Sequence, residues 1–181
     1  MASAFDGQIQ NRNFLSPIGF KFTLSKEPKV AFFASSARIP EITLGTAIQS
    51  SYLKDLDVPG EKLTYGDFSL TFLVDENLEN YISIHNWLTG LGFPESPEDY
   101  KNLITKDNIV DEKNQFSDGS LHILNSNFNT NAIVKFSDLF PVSLSSLDFE
   151  SNESDINYFT AEVTFKYTVY NILSSDGRTR L

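Results

Sequence analysis

Asp55 and Asp57 are the first residues whose type and spacing suggest chemistry. Two positions apart in an extended chain, they project to the same side. A hydrolase needs such a pair facing a cleft, with one carboxyl held protonated by its surroundings. The plainer account is a charged outer strand face. Asp107, Asp111, Glu112 and Asp118 offer the hard oxygen ligands that calcium takes, yet their spacing does not follow the EF-hand loop, and no Gly stands where that loop turns sharply. His85 and His122 are the only histidines. His85 falls on the apolar stripe of a helical pattern and reads as packing; His122 sits beside Ile123 in a strand pattern and reads as structural. There is no Cys, hence no thiol nucleophile, thiolate metal site or disulfide framework. The chain has no Gly-rich phosphate loop, no nucleophile elbow and no His-Glu-x-x-His pair. The expectation is a protein without catalysis, cofactor or metal.

The formal charge of −10 is unevenly placed. Residues 1–60 and 158–181 are each close to neutral, whereas 61–157 hold five basic and seventeen acidic side chains. A protein that grips phosphates or reads sequence needs a basic stripe. None exists, and basic residues do not interleave with aromatics as a single-strand stacking platform requires. No apolar run approaches the ~18 residues of a membrane helix, and no basic-then-apolar leader opens the sequence. The expectation is one soluble domain over 1–181, with 1–12 and 174–181 as arms or tails.

Positioning elements are mainly strands. Ile18 to Ser25 alternates apolar and polar residues. Lys29 to Ala37 reads as a returning strand, with Phe32 and Phe33 on opposite faces, and Pro40 ends it. Leu44-Gly45 and Pro59-Gly60 read as turns. The stretch from Pro40 to Gly60 is a candidate projecting hairpin or docking loop, or a plain surface hairpin. Asp67 to Asp75 is a clean strand with Phe68, Leu70, Phe72 and Val74 on one face. Leu78, Tyr81, Ile82, His85 and Leu88 then recur at helical spacing, with Asn77 a plausible N-cap and Gly90 or Gly92 the stop. Ser96-Pro97-Glu98-Asp99 opens a second helix, to about Lys106. Residues 96–119 form a surface insert, with 107–119 read as a loop. Short strands follow at Ser120–Ser126, Ile133–Ser137 and Val142–Phe149, with an Asn-rich turn over Asn127–Asn131. Glu150–Asn157 is a polar acidic turn.

The last strand, Tyr158 to Ile172, is the longest alternating stretch. Phe159, Ala161, Val163, Phe165, Tyr167 and Val169 form its dry face. Thr160, Glu162, Thr164, Lys166, Thr168 and Tyr170 form its wet face. Strands usually stop at ~3–10 residues. This length needs a large sheet, a barrel wall or a neighbouring subunit, or else a bend that shares the strand between two layers. The fold class is mainly β (α+β): an antiparallel sandwich or barrel subunit with one packed amphipathic helix.

The order of these features resembles the tail tube proteins of contractile-tailed bacteriophages. The resemblance is carried by Ser36-Ala37-x-Ile39-Pro40, Gly66-Asp67-Phe68-x-Leu70-Thr71-Phe72, Asp75-Glu76, the helix ending Trp87-Leu88, and Leu139-Phe140-Pro141-Val142 before the final strand. It implies a structural virion protein of the tail, assembled in the host cytoplasm. Such proteins form hexameric rings whose strands join one intersubunit β-barrel, and the rings stack into a tube. The implied partners are identical copies, tail sheath, baseplate and tail-terminator proteins, with genomic DNA passing through without sequence-specific binding and no membrane contact. By the same resemblance Arg38, Pro40, Tyr52, Lys54, Asp55 and Asp57 are ring-stacking candidates. Thr160, Glu162, Thr164, Lys166 and Thr168 are channel or outer-face candidates. The role within that family stays open between repeating tube subunit and baseplate or terminal ring. A competing reading is a monomeric β-sandwich module that binds carbohydrate or protein.

Overall fold

Phe68, Leu70 and Phe72 alternate with Ser69 and Thr71, and the fold is built around the apolar side of this strand. The computed structural model describes residues 14–149, apart from 93, 95, 107 and 108, and residues 158–181. The arm at 1–12 and the whole acidic turn, 150–157, lie outside the described residues. In chain order the elements are β1 (Phe20–Leu24), α1 (Pro28–Phe32), β2 (Ala34–Ala37), β3 (Ile42–Gln49), β4 (Leu56–Tyr65) and β5 (Phe68–Leu73). Then follow α2 (Glu79–Gly92), α3 (Pro97–Ile104), β6 (Thr105–Lys106), β7 (Ile109–Val110) and a 3-10 turn at Glu112–Gln115. The chain closes with β8 (Ser117–Leu124), β9 (Thr130–Leu144), β10 (Thr160–Lys166) and β11 (Val169–Ser174).

The body is one antiparallel path, β1-β8-β9-β10-β5-β2, with β11 added beside β9. The β9 strand belongs to both layers: Ala132 to Ser137 pairs β11, and Phe140 to Leu144 pairs β10. The seam where β1 and β2 approach is bridged by α1, and α2 lies over β9. Phe68 is the hub of the core. Its ring centroid lies 4.5 Å from Phe136, 5.3 Å from Phe22 and 6.2 Å from Phe165. Such aromatic contacts add to the transfer of apolar area from water. The expected dry face closes here: Ala161, Val163 and Phe165 pair in register with Phe72, Leu70 and Phe68, and all six are fully buried.

Several elements differ from the sequence reading, each for a local reason. Lys29 to Phe32 is helical, because Pro28 at the first turn presets the backbone and a single turn suffices to bury Val30. Only Ala34 to Ala37 is strand. The chain from Tyr158 to Ile172 is two strands, not one. They break at Tyr167-Thr168, where the Thr168 amide donates to the Ser137 carbonyl, and beyond the break Tyr170 is buried rather than wet. The longest strand is β9, which the reading had split in two. Asp138, with φ 55°, makes a left-handed kink inside it, and Pro141 opposes Phe165 at a bulge, where a missing N–H is tolerated. The 107–119 loop holds β7, the 3-10 turn and the start of β8. Helix α2 begins at Glu79 after Leu78, whose φ is 57°, so Asn77 does not cap it directly. The Asn-rich turn lies two residues earlier, over Asn125 to Asn129: the Asn125 side-chain oxygen accepts from the Asn127 and Asn129 amides. Strand β9 ends at Leu144, so Ser145 to Phe149 is not strand.

Candidate assembly surfaces

Two surfaces carry the residues singled out by sequence. The first is the outward face of β10, β5 and β2. Side chains alternate across a strand, so burying Phe68, Leu70 and Phe72 forces Ser69 and Thr71 outward. Glu162 pairs with Thr71, Thr164 with Ser69, and Ser36 with Thr71 on the other side. The Lys166 ammonium lies 3.7 Å from the Asp67 carboxylate, and the Arg38 amide donates to the Ser69 carbonyl at 3.2 Å. Thr160, Glu162, Thr164, Lys166 and Arg38 therefore share one Ser/Thr-rich face. Its charges are Arg38 and Lys166 against Asp67 and Glu162, so it is balanced although the chain is strongly acidic. Thr168 does not join it. It lies past the break and lines a cleft of about 800 Å³ with Asp138, Phe116, Ser117, Lys26 and Lys113.

The second surface is the hairpin β3–β4. Ile42 pairs with Tyr65, Leu44 with Leu63 and Ile48 with Asp57. Neither Leu44-Gly45 nor Pro59-Gly60 turns the chain: both lie inside strands, and the turn is at residues 50–55, where the Ser50 hydroxyl donates to Asp55 at 3.0 Å. Gly45 and Gly60 have another role. A β-carbon on Gly60 would stand 2.5 Å from the Gly45 carbonyl oxygen, so the irregular pairing there admits only glycine at that position. Every residue of β3 is exposed. Ile48 is 68% exposed and Leu53 90%, and Tyr52 is fully open beside it at the tip. Lys54 and Asp55 flank the tip, and Asp57 is the second residue of the return strand. An isolated two-stranded hairpin is marginal in water, and here Ile42, Leu44, Ile48, Leu53, Leu56 and Leu63 stay exposed among the described residues.

The root of this hairpin carries residues that sequence reasoning missed. The Tyr170 hydroxyl donates to the Pro40 carbonyl at 3.1 Å and the Tyr167 hydroxyl donates to the Gly66 carbonyl at 2.8 Å. One tyrosine thus holds each leg. Their rings meet edge-on at 5.9 Å, and Tyr65 packs on both. Burial pushes both phenols above their ordinary values, aided for Tyr167 by Tyr170, Asp67 and Tyr65 in turn and for Tyr170 by Tyr65. Pro40 itself is buried at this root, unlike the exposed Arg38. The available signal was the choice of Tyr in a chain with more than twice as many Phe. Asn80 was also missed. It is fully buried on α2; its amide donates to the Leu73 carbonyl at 2.7 Å and its oxygen accepts from the Asp75 amide. These bonds fasten the helix to the end of β5.

The insert is clasped to the body. Ser96 caps α3 by accepting from the Glu98 amide. The Trp87 indole donates to the Gln115 carbonyl at 2.9 Å, and the Lys26 ammonium donates to the Asn114 carbonyl at 2.6 Å while sitting 4.7 Å above the Trp87 ring. Burial lowers the Lys26 pKa, with Glu27 acting in opposition. Of the residues weighed as catalysts or ligands, Asp107 lies outside the described residues, and the others do not form one site. His85 is exposed rather than packed, and His122 faces Lys21 in register, its pKa lowered by partial burial and then by that charge. Asp111 accepts from the Lys113 amide, and Asp118 lies 3.8 Å from Lys135. Among the described residues no three His, Asp or Glu side chains converge as metal ligands.

The same fold occurs in known assemblies. A chain of the anti-feeding prophage cap, which terminates the AFP tube, superposes with a TM-score of 0.65 at 17% identity, covering 96% of this chain and 99% of that one. A chain of the sheath–tube complex of PVC, an extracellular contractile injection system, gives 0.58 at 14% identity over 90% and 93%. A chain of the PVC sheath/tube terminator gives 0.58 at 14% over 91% and 100%. At these identities the likeness is one of fold. Among curated proteins none matches the sequence. The profile described as phage tail tube protein matches residues 2–173. With that match spanning nearly the whole sequence, and the fold in agreement, the chain belongs to the phage tail tube protein family.

Proposed function

We propose that the chain is a non-catalytic structural protein of a contractile tail, which closes into hexameric rings that stack into a tube. The observation that carries this reading is the β3–β4 hairpin, which stands off the body with Ile42, Leu44, Ile48, Leu53, Leu56 and Leu63 exposed. Tyr52, Lys54, Asp55 and Asp57 would dock it on the adjacent ring, with Arg38 and Pro40 at its root. The balanced Ser/Thr face bearing Thr160, Glu162, Thr164 and Lys166 fits a channel wall: it has no excess of cations to hold phosphate, so DNA slides past. Tail sheath, baseplate and terminator proteins would be the further partners. Assembly would take place in the host cytoplasm and the product would reside in the virion tail. The neighbours include both tube-complex and terminator chains, which fits either a repeating subunit or an end ring.

Negative-stain imaging of the purified protein tests this. Rings or tubes are expected, and deletion of residues 47–58 should leave the body folded while preventing stacking. A compact monomer under all conditions, including with tail partners present, overturns the assembly. Normal stacking by the deletion variant overturns the docking role of the hairpin.

A further inference from the structure

The family match ends at Leu173, yet the chain does not stop there in space. After β11 it turns over Ser174 to Thr179 and comes back. The Ser174 amide donates to the Thr179 carbonyl at 2.8 Å, and the Leu181 amide donates to the Ile172 carbonyl at 3.0 Å. Leu173 and Arg180 form an antiparallel bridge. The turn is built for this purpose. Gly177 takes φ 69°, which glycine tolerates, and the Asp176 carboxylate accepts from the Ser174 hydroxyl and from the Arg178 and Thr179 amides. A segment read from sequence as an arm or tail is therefore folded back on β11 and held there by one β-bridge.

Its position gives it a task. One side of β11 pairs with β9, and Ile172 and Ser174 point their remaining backbone groups away from β9. Without the return, these groups form an open edge on the sheet of β1, β8 and β9, and an open edge recruits any extended chain. We propose that residues 174–181 are an edge guard, which denies the outer end of β11 to strands of other copies. Intersubunit pairing is thereby confined to the remaining edges. This rests on the assembly reading above, since a protein assembled to high local density by strand pairing most needs its wrong edge closed.

The test compares the full chain, a chain truncated after Ser174, and Leu181→Pro, which removes one donor and nothing else from the backbone ladder. Thioflavin fluorescence and light scattering against concentration give the onset of association, with far-UV circular dichroism as the folding control. The truncated chain should associate at a concentration at least about tenfold lower than the full chain, and Leu181→Pro should shift in the same direction. Equal onsets for all three overturn the guard. If truncation unfolds the body, the Leu181→Pro onset alone decides. Hydrogen exchange on the full chain gives an independent check: slow exchange at the Ser174 and Leu181 amides is expected, and exchange there as fast as in an open turn overturns the proposal. Imaging separates the two readings. Rings absent with a truncation-sensitive onset would leave the guard standing and remove the ring; normal rings with identical onsets would do the reverse.

Discussion

Tyr167 and Tyr170 differ from the phenylalanines around them by one oxygen each, and both oxygens are bonded to the legs of one hairpin. Removing the Tyr170 hydroxyl leaves the buried Pro40 carbonyl without that donor. Tyr170→Phe should therefore cost about 1–2 kcal/mol. For a chain of this size each kcal/mol moves the melting temperature by about 2–4 °C, which differential scanning fluorimetry resolves. The same pair predicts an alkaline weakness. Both phenols have folded pKa values raised by burial. The folded state thus favours the neutral form, and its advantage is intact below the unfolded value of about 10. It is lost as pH rises beyond that, because the unfolded chain ionises first. The melting temperature should fall from about pH 10 upward, and the double variant Tyr167→Phe, Tyr170→Phe should flatten that slope. An unchanged slope would show that these hydroxyls do not govern it.

Among the elements, the β3–β4 hairpin is the most autonomous, and Gly60 is its weakest point. Gly60→Val places side-chain carbon against the Gly45 carbonyl. The expected outcome is faster amide exchange across β3 and β4, with the near-ultraviolet spectrum of the Trp87 and Phe68 core unchanged. Loss of the core signal as well would mean that hairpin and body fold as one unit. Sequence made some elements plain. The alternation of Phe68, Leu70 and Phe72 against Ala161, Val163 and Phe165 gave the central pair and its dry face, and Ser96-Pro97-Glu98 gave the start of α3, because in both cases the signal is local and repeated. The site was less legible. Ser69, Thr71, Glu162 and Thr164 were readable as a wet face, but their meeting with Ser36 and Arg38 depends on β2 pairing β5 across a distance no local pattern reports. Helix α1 was hidden because one turn carries no periodicity. Pro59, Gly60, Asp138 and Pro141 read as breaks because strand interiors normally exclude them. Here bulges and an exposed two-stranded ladder accommodate them.

At the scale of the whole molecule, charge decides how copies approach. The acidity is concentrated in 61–157, where five basic side chains face seventeen acidic ones, while the Ser/Thr face is balanced. Acidic subunits repel at long range, with a screening length of about 30 Å at 0.01 M salt and about 8 Å at physiological strength. Raising salt over that range should lower the concentration for half-assembly several-fold by light scattering. If assembly instead weakens with salt, contacts between opposite charges dominate and the apolar hairpin does not. The molecule also has a mechanical axis. Strand β9 runs through both layers, with β8 along one flank and β10 and β11 along the other. A pull along β9 would load the ladders on both flanks in shear, so their hydrogen bonds must yield together. A pull across it would open them one after another. A subunit oriented with β9 along the direction of thrust would bear load as a tie-rod does, stiff lengthwise and weak across.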